Sequence, residues 1–200
     1  MRVTVIDYKA GNLTSVLKAL RHLGAVTEVT DNPAVVERAE RLVLPGVGHF
    51  TATQRLDAAG LTPAIRAAIT RGMPFLGISV GMQWLYAGSI EAPEQPGLGH
   101  FAEPCARFPD GTEKVPHVGW NSLETRTNSR LFAGVGPDEY VYFTHSYKAP
   151  VTADTAAITR YIEPFAAAVE RGNVTGVQFH PEKSGATGLK ILKNFLEAGG

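Results

Sequence analysis

Gly77-Ile78-Ser79-Val80-Gly81 carries more chemical content than any other five residues of this 200-residue chain. The G-x-S-x-G spacing is that of a nucleophile elbow, whose central residue sits on a sharp strand-to-helix turn. Side chains two positions to either side would collide in such a turn, which is why glycine is needed there. Ahead of it, Phe75, Leu76 and Ile78 form a short apolar run behind Gly72 and Pro74, which reads as a buried strand. Met82 to Leu85 follow as the start of a helix. Ser79 would then stand exposed at a helix N-terminus, with the Val80 N–H facing a developing oxyanion. The plainer reading of the same residues is a tight turn whose serine caps the helix.

Partners for Ser79 weigh on that choice. The strand-like run Val174–Phe179 ends in His180-Pro181-Glu182. A histidine at a strand end with a carboxylate two residues later supplies a general base and an acid to orient it, and the intervening proline stiffens the turn. His22, His49, His100 and His117 have no such neighbour and read as surface or satisfied core histidines. No H-x-x-x-H or H-E-x-x-H spacing occurs, so no metal and no cofactor is expected.

These residues need a scaffold, and the first half of the chain provides a regular one. Val3–Ile6 is strand-like, and Leu13 to Leu23 follows with Leu13, Val16, Leu17, Leu20 and Leu23 at helical spacing until Gly24 ends it. Val26–Val29 reads as a strand, a short helix opens at Pro33, and Leu42–Leu44 is the next strand. Thr62-Pro63 places a cap and a helix-opening proline ahead of a helix over 64–71. This alternation predicts an α/β fold with a central mixed, mostly parallel sheet and helices on both faces. Ligands in such folds bind at the carboxyl ends of the strands, where both Pro45-Gly46-Val47-Gly48 and the Ser79 elbow fall.

The second half differs. Residues 91–119 show little periodicity and five prolines, Pro93, Pro96, Pro104, Pro109 and Pro116. Short strand-like runs follow at Tyr140–Phe143, Thr155–Tyr161, Phe165–Val169 and Val174–Phe179, close enough for antiparallel connections within the mixed sheet. A last helix is expected over 186–196. No repeat, low-complexity tract or linker interrupts the chain, so residues 1–200 read as a single domain.

Composition narrows the function. Nineteen basic and nineteen acidic residues cancel, which argues against nucleic acid and membrane surfaces as partners. With no long apolar run and no leader-like N-terminus, a cytoplasmic protein is expected. The one cysteine, Cys105, precludes an intrachain disulfide and a multi-cysteine zinc site and reads as a structural thiol.

The order Ser79, His180, Glu182 differs from the Ser, acid, His order of α/β-hydrolases. It resembles the class I (triad) glutamine amidotransferases, most closely the glutaminase subunits of imidazole glycerol phosphate synthases. The similarity extends over most of the chain: Asp7-Tyr8-x-x-Gly11-Asn12-Leu13, Leu44-Pro45-Gly46-Val47-Gly48-His49-Phe50, Gly77 to Gln83, Pro116-His117-Val118-Gly119-Trp120-Asn121, Phe143-Thr144-His145-Ser146-Tyr147, and Gln178 to Ser184. The resemblance implies that position 79 is the nucleophile, that His180 moves protons to leaving ammonia, and that Glu182 orients the imidazole. It implies an oxyanion hole from the backbone of Val47, Gly48 and Val80. Glutamine would be held by Gly46, Gln83, Glu91 (facing the ammonium), His145, Ser146 and Tyr147. A cyclase subunit with a (β/α)₈ barrel would complete a heterodimer through positions at or near Asn12, Trp120, Tyr142 and Lys183, and the Pro45–Gly48 loop would be the element that switches when the partner binds its ligand.

One residue departs from that pattern. The family uses cysteine where this chain has Ser79. A thiol of pKa about 8.5 is readily converted to thiolate beside a histidine, whereas a serine hydroxyl ionises far higher and must lose its proton during attack. The resemblance therefore implies glutamine binding with very poor hydrolysis. Two origins for Ser79 compete, an introduced cysteine-to-serine change and a natural serine; the intact remainder of the motifs favours the first. Three other readings stay open: a serine esterase or peptidase, a non-catalytic scaffold for the cyclase, and a glutaminase serving another pathway.

Overall fold

The computed structural model describes residues 1–11, 13–111, 113–126 and 128–198. Strand and helix alternate as far as the elbow: β1 (Arg2–Ile6), α1 (Leu13–His22), β2 (Val26–Thr30), α2 (Pro33–Glu37), β3 (Leu42–Gly46), α3 (Gln54–Ala58), α4 (Leu61–Thr70), β4 (Phe75–Ser79) and α5 (Val80–Gln83). The remainder is mostly strand: β5 (Ala106–Arg107), β6 (His117–Ser122), β7 (Glu124–Thr125), β8 (Tyr140–His145), β9 (Tyr147–Lys148), β10 (Thr155–Tyr161), β11 (Glu163–Arg171) and β12 (Val174–Val177), closed by α6 (Gly185–Glu197).

Eight strands make the central sheet, in the order β2-β1-β3-β4-β12-β11-β10-β7. The first five are parallel and the last three continue antiparallel from β12. Successive side chains on a strand point to opposite faces, and here both faces are apolar. Leu42, Leu44 and Phe75 pack with Val36 of α2, Leu56 of α3 and Ile65 of α4. Val43, Leu76 and Ile78 pack with Leu20 of α1 and Ile191 and Leu192 of α6. Burying both faces is what allows a parallel sheet, and it brings the carboxyl ends of β3, β4 and β12 side by side. Gly46 lies opposite Ser79, and Ile78 opposite Val177. Among the described residues no helix is long and apolar enough to cross a membrane.

Local chemistry explains where the elements start and stop. Asn32 caps α2, its Oδ1 accepting from Ala34 N–H at 2.9 Å with Pro33 in the first turn. Helix α4 begins at Leu61, three residues before the expected start. Gly60 turns the chain with φ 69°, and Thr62 donates its hydroxyl to Asp57 at 2.6 Å, bracing the α3–α4 corner without capping the helix. The 3₁₀ turn Phe50–Thr53 and α3, too short to show a period, were not expected.

Tyr140–Phe143 does not enter the central sheet as its sequence suggested. β8 pairs instead with β6, a strand overlapping the irregular region, and the two form a separate antiparallel ribbon. The inward face of this ribbon lies on β11 through Phe165. That ring is buried and meets Phe108 and Phe143 edge-on at 5.5 and 5.6 Å, with His145 tilted against it at 5.0 Å. Phe165→Ala should therefore loosen ribbon and sheet together, lowering stability by ~3–5 kcal/mol in urea unfolding. A loss below about 1 kcal/mol would show that this ring is not what joins them.

Candidate active site

Ser79 ends β4 with φ 55° and ψ −113°, a combination that costs a non-glycine residue about 1–3 kcal/mol. Its side chain makes no capping bond to α5, so the helix-cap reading of this serine is not what the structure shows. The flanking glycines are there for contact. A Cβ on Gly77 would come within 2.5 Å of Gly81 O, and one on Gly81 within 2.0 Å of Leu44 O. Gly46 is equally confined, since its Cβ would meet the Tyr8 hydroxyl at 2.6 Å and Gly81 N at 2.8 Å. Strand β3, the elbow and α5 thus touch backbone to backbone.

Beyond β12 the chain crosses the same end of the sheet. His180 N–H donates to Tyr142 O at 2.9 Å, and His180 Nδ1 meets Glu182 Oε1 at 2.8 Å with both side chains buried. A carboxylate only accepts, so Nδ1 is the nitrogen that donates to Glu182 and Nε2 is the ring nitrogen turned away from it. Ser184 clamps this segment: its hydroxyl accepts from Tyr142 N–H at 2.9 Å and donates to His180 O at 2.6 Å. Gly188 lets α6 approach, because a Cβ there would lie 2.0 Å from Pro181 O. Neither Ser184 nor Gly188 was singled out as a functional position in the sequence; the S-x-x-x-G spacing that runs from the cap of α6 into its first turns is the signal that could have found them.

Ser79 and His180 line one cleft of about 490 Å³ together with Val47, Gly48, Val80, Gln83, Glu91, His145, Ser146, Tyr147 and Lys183. A hydroxyl on a strained turn, a carboxylate-held imidazole and the start of a helix around one cleft are groups that acyl transfer can use. Of the other expected residues, Gly46 does not line this cleft; it borders a separate small void with Val47 and His180. Val47 N–H is engaged elsewhere, donating to Ala10 O at 3.2 Å, and Gly48 takes φ 85° with open space around it. Glu91 reaches the next turn of the same loop, Oε2 accepting from Phe50 N–H at 2.8 Å and Oε1 lying 3.9 Å from His49 Nε2. Gln83 Nε2 donates to Tyr147 O at 3.0 Å and to Gln178 Oε1 at 3.1 Å. Among the described residues no cluster of three or more His, Cys, Asp or Glu could hold a metal ion. Cys105 is fully buried, where desolvation raises its thiol pKa well above the ordinary value, making it an inert core group.

Lys183 joins the cleft to an apolar face on the outer side of the β6–β8 ribbon. Its Nζ lies 5.9 Å above the Tyr142 ring, which meets Trp120 edge-on at 6.1 Å. Val118, Trp120 and Tyr140 are each more than half exposed on that face. Asn12, also expected near a partner, lies outside the described residues.

The inner side of the ribbon holds a histidine pair. His117 and His145 are cross-strand partners, with His117 Nδ1 3.0 Å from His145 Nε2 and His145 Nδ1 2.9 Å from Tyr147 O. Burial disfavours their charged forms, pushing His117 down to about 4 and His145, also disfavoured by its positive neighbours, down to about 3. Folded-state values below the unfolded ones mean that the unfolded chain binds more protons under acid conditions. The stability they protect is complete above about pH 6.5 and is lost as pH falls toward about 4 and then 3. The urea midpoint should decline over that window, and less steeply in His117→Phe; identical slopes would show that His117 is not buried neutral.

The profile described as glutamine amidotransferase class-I matches residues 4–198. The chain is 48% identical over 197 residues to the imidazole glycerol phosphate synthase subunit HisH of Deinococcus radiodurans, covering 96% of this chain and 92% of that one. It is 43% identical over 203 residues to the HisH of Methanosarcina acetivorans, covering 98% of each. It also matches imidazole glycerol phosphate synthase hisHF of Schizosaccharomyces pombe, at 40% identity, over 98% of this chain and 38% of that longer one. Among solved structures, a glutamine amidotransferase superposes with a TM-score of 0.77 at 22% identity, covering 98% of this chain and 97% of that one. PurLQS from Thermotoga maritima gives 0.74 at 21%, with coverage of 98% and 97%; these two speak to the fold. The strained elbow, the buried imidazole–carboxylate pair and this breadth of similarity lead to one conclusion: the chain belongs to the class I glutamine amidotransferases and is homologous to the HisH subunits among them.

Proposed function

We propose that this chain is the glutaminase subunit of an imidazole glycerol phosphate synthase. Residues 1–200 act as a single amidotransferase domain that hydrolyses glutamine to glutamate and ammonia. The ammonia passes to a cyclase subunit, a (β/α)₈ barrel, that makes imidazole glycerol phosphate in histidine biosynthesis in the cytoplasm. The observation that carries this reading is the cleft uniting Ser79, His180 and Gln83 in a chain so similar to HisH proteins. The match to a segment of the longer S. pombe hisHF protein agrees with a second functional unit beside this one.

In this reading the residue at position 79 attacks the side-chain amide of glutamine. His180 Nε2 takes the nucleophile's proton and delivers it to the leaving ammonia, while Glu182 holds the imidazole and offsets its charge. Val80 N–H and the Val47–Gly48 backbone receive the oxyanion, and Glu91 faces the substrate ammonium. The apolar face of Val118, Trp120, Tyr140 and Tyr142, continuous with the cleft through Lys183, docks the cyclase.

Ser79 stands where the family's nucleophile is a cysteine, and the intact surroundings favour an inactivating replacement. Loss of a nucleophile that acts with its base lowers the rate by up to the order of 10⁶. Glutamine hydrolysis should therefore be near background in this chain and strong in Ser79→Cys, each assayed with the cyclase and its ligand. Equal activity in both would make serine a working nucleophile. Inactivity in both would favour the scaffold reading, a subunit that binds the cyclase without catalysis.

The Pro45–Gly48 loop is the proposed switch, since Val47 N–H must leave Ala10 O before it can meet an oxyanion. In the Ser79→Cys background, Gly48→Val should suppress stimulation by the liganded partner at least tenfold, because φ 85° is open to glycine and strained for valine. Unchanged stimulation would remove this loop from the switch.

A further inference from the structure

We propose that His117 is a positioning residue for the glutamine-binding wall. By donating from Nδ1 to His145 it holds that ring in place on the Tyr147 carbonyl, and so keeps in position the acceptor that receives the Gln83 amide N–H and leaves Gln83 Oε1 as the polar atom turned to the cleft. The proposal rests on the glutaminase reading of the cleft and adds a residue outside it, since His117 is not among the groups lining that space.

The directions of the bonds follow from one end. The Tyr147 carbonyl can only accept, and two groups lie within bonding distance: His145 Nδ1 at 2.9 Å and Gln83 Nε2 at 3.0 Å. His145 Nδ1 therefore carries its proton, and because the ring is neutral Nε2 is an acceptor. The group facing Nε2 at 3.0 Å is His117 Nδ1, which must donate. Its own Nε2 is then an acceptor, with Asn121 Nδ2 at a long 3.4 Å beyond it. At the other end Gln83 uses both amide hydrogens inside the wall, one on Tyr147 O and one on Gln178 Oε1. Its Oε1 is the polar atom left for a ligand.

The His117 ring is held independently of this chain of bonds. It stacks on Tyr161 with centroids 4.0 Å apart and on Phe143 at 4.8 Å, nearly parallel to both. Packing and hydrogen bonding at one residue can therefore be separated by choice of substituent. Phenylalanine keeps the stacks and removes the donor. Asparagine removes the ring and keeps an amide donor near the Nδ1 position. Glutamine removes the ring and carries its amide to the Nε2 position, where it does not reach His145.

The test is calorimetric binding of glutamine to this Ser79 chain and to its His117→Phe, His117→Asn and His117→Gln forms, with melting temperatures measured alongside. A weakened hydrogen-bonded wall predicts a Kd raised about 5–10-fold in H117F, the usual consequence of one lost bond of this kind. H117N should stay within about threefold of the parent despite a lower melting temperature, and H117Q should bind as poorly as H117F. In the Ser79→Cys background the same factors should appear in KM, with kcat changed less than about twofold. Glutamine binding by H117F within twofold of the parent, or equal binding by H117N and H117Q, overturns the positioning role. Should H117F fail to fold, the Asn–Gln pair decides alone. Failure of the parent chain to bind glutamine would overturn the reading of the cleft itself, and the role of His117 with it.

Discussion

Ser79 is held in a backbone conformation that it would leave if released. A residue at φ 55° and ψ −113° has no local interaction to keep it there, and its hydroxyl does not cap the helix that follows. What holds it is the register of three parallel strands. β4 is pinned between β3 and β12, so the turn after Ser79 must close over Gly46 and beneath Leu44 O. The absence of Cβ atoms at Gly46, Gly77 and Gly81 makes that closure possible. Two apolar layers in turn hold the strands in register, and this is how burial on both faces of the sheet becomes a fixed position for one oxygen atom.

The imidazole reaches the same place from the other half of the sheet, and a different kind of support holds it there. His180 lies beyond the end of β12, where no ladder continues. Backbone bonds to Tyr142 and the two-way hydroxyl of Ser184 tie it to β8. Since β8 also carries Tyr142 on its outer face and His145 on its inner one, a displacement of the ribbon would be felt at the imidazole and at Tyr147 O together. The apolar outer surface of that ribbon is thus mechanically close to both walls of the cleft.

How much of this could be read beforehand varied with the kind of interaction. The parallel half was legible because α1 and the first strands show clean periods of 3.6 and of continuous apolar runs. The elbow and the His180–Glu182 pair were legible because their spacing is local. β6 was not, since its pattern is inverted: Val118 and Trp120 face outward, while the inward positions hold His117, Gly119 and Asn121. A search for buried apolar alternation passes over such a strand. The His117–His145 contact was invisible for a related reason, being a cross-strand pair 28 residues apart in the chain. Nothing in a list of side chains could have revealed that Val47 N–H is bonded to Ala10, because both groups belong to the backbone.

That last bond bears most directly on how the proposed reaction would be held in check. A backbone hydrogen bond contributes about 0.5–1.5 kcal/mol net, whereas one oxyanion donor is worth about 2.7–4 kcal/mol to a transition state. Freeing Val47 N–H from Ala10 would therefore be repaid during the reaction, and the bond alone is too weak to keep a site silent. The loop is restrained at a second point, however, by Phe50 N–H on Glu91 Oε2, a charge-assisted bond. Under the proposed function Glu91 also receives the ammonium of glutamine, so substrate binding draws on the carboxylate that anchors the end of the loop. Restraint at Val47, within the Pro45–Gly48 loop, and at Phe50, just beyond it, leaves Gly48 between two fixed points, so the loop moves only if both yield. A partner bound to the ribbon face then needs to shift that balance by only about 1–3 kcal/mol to change turnover by roughly one to two orders of magnitude.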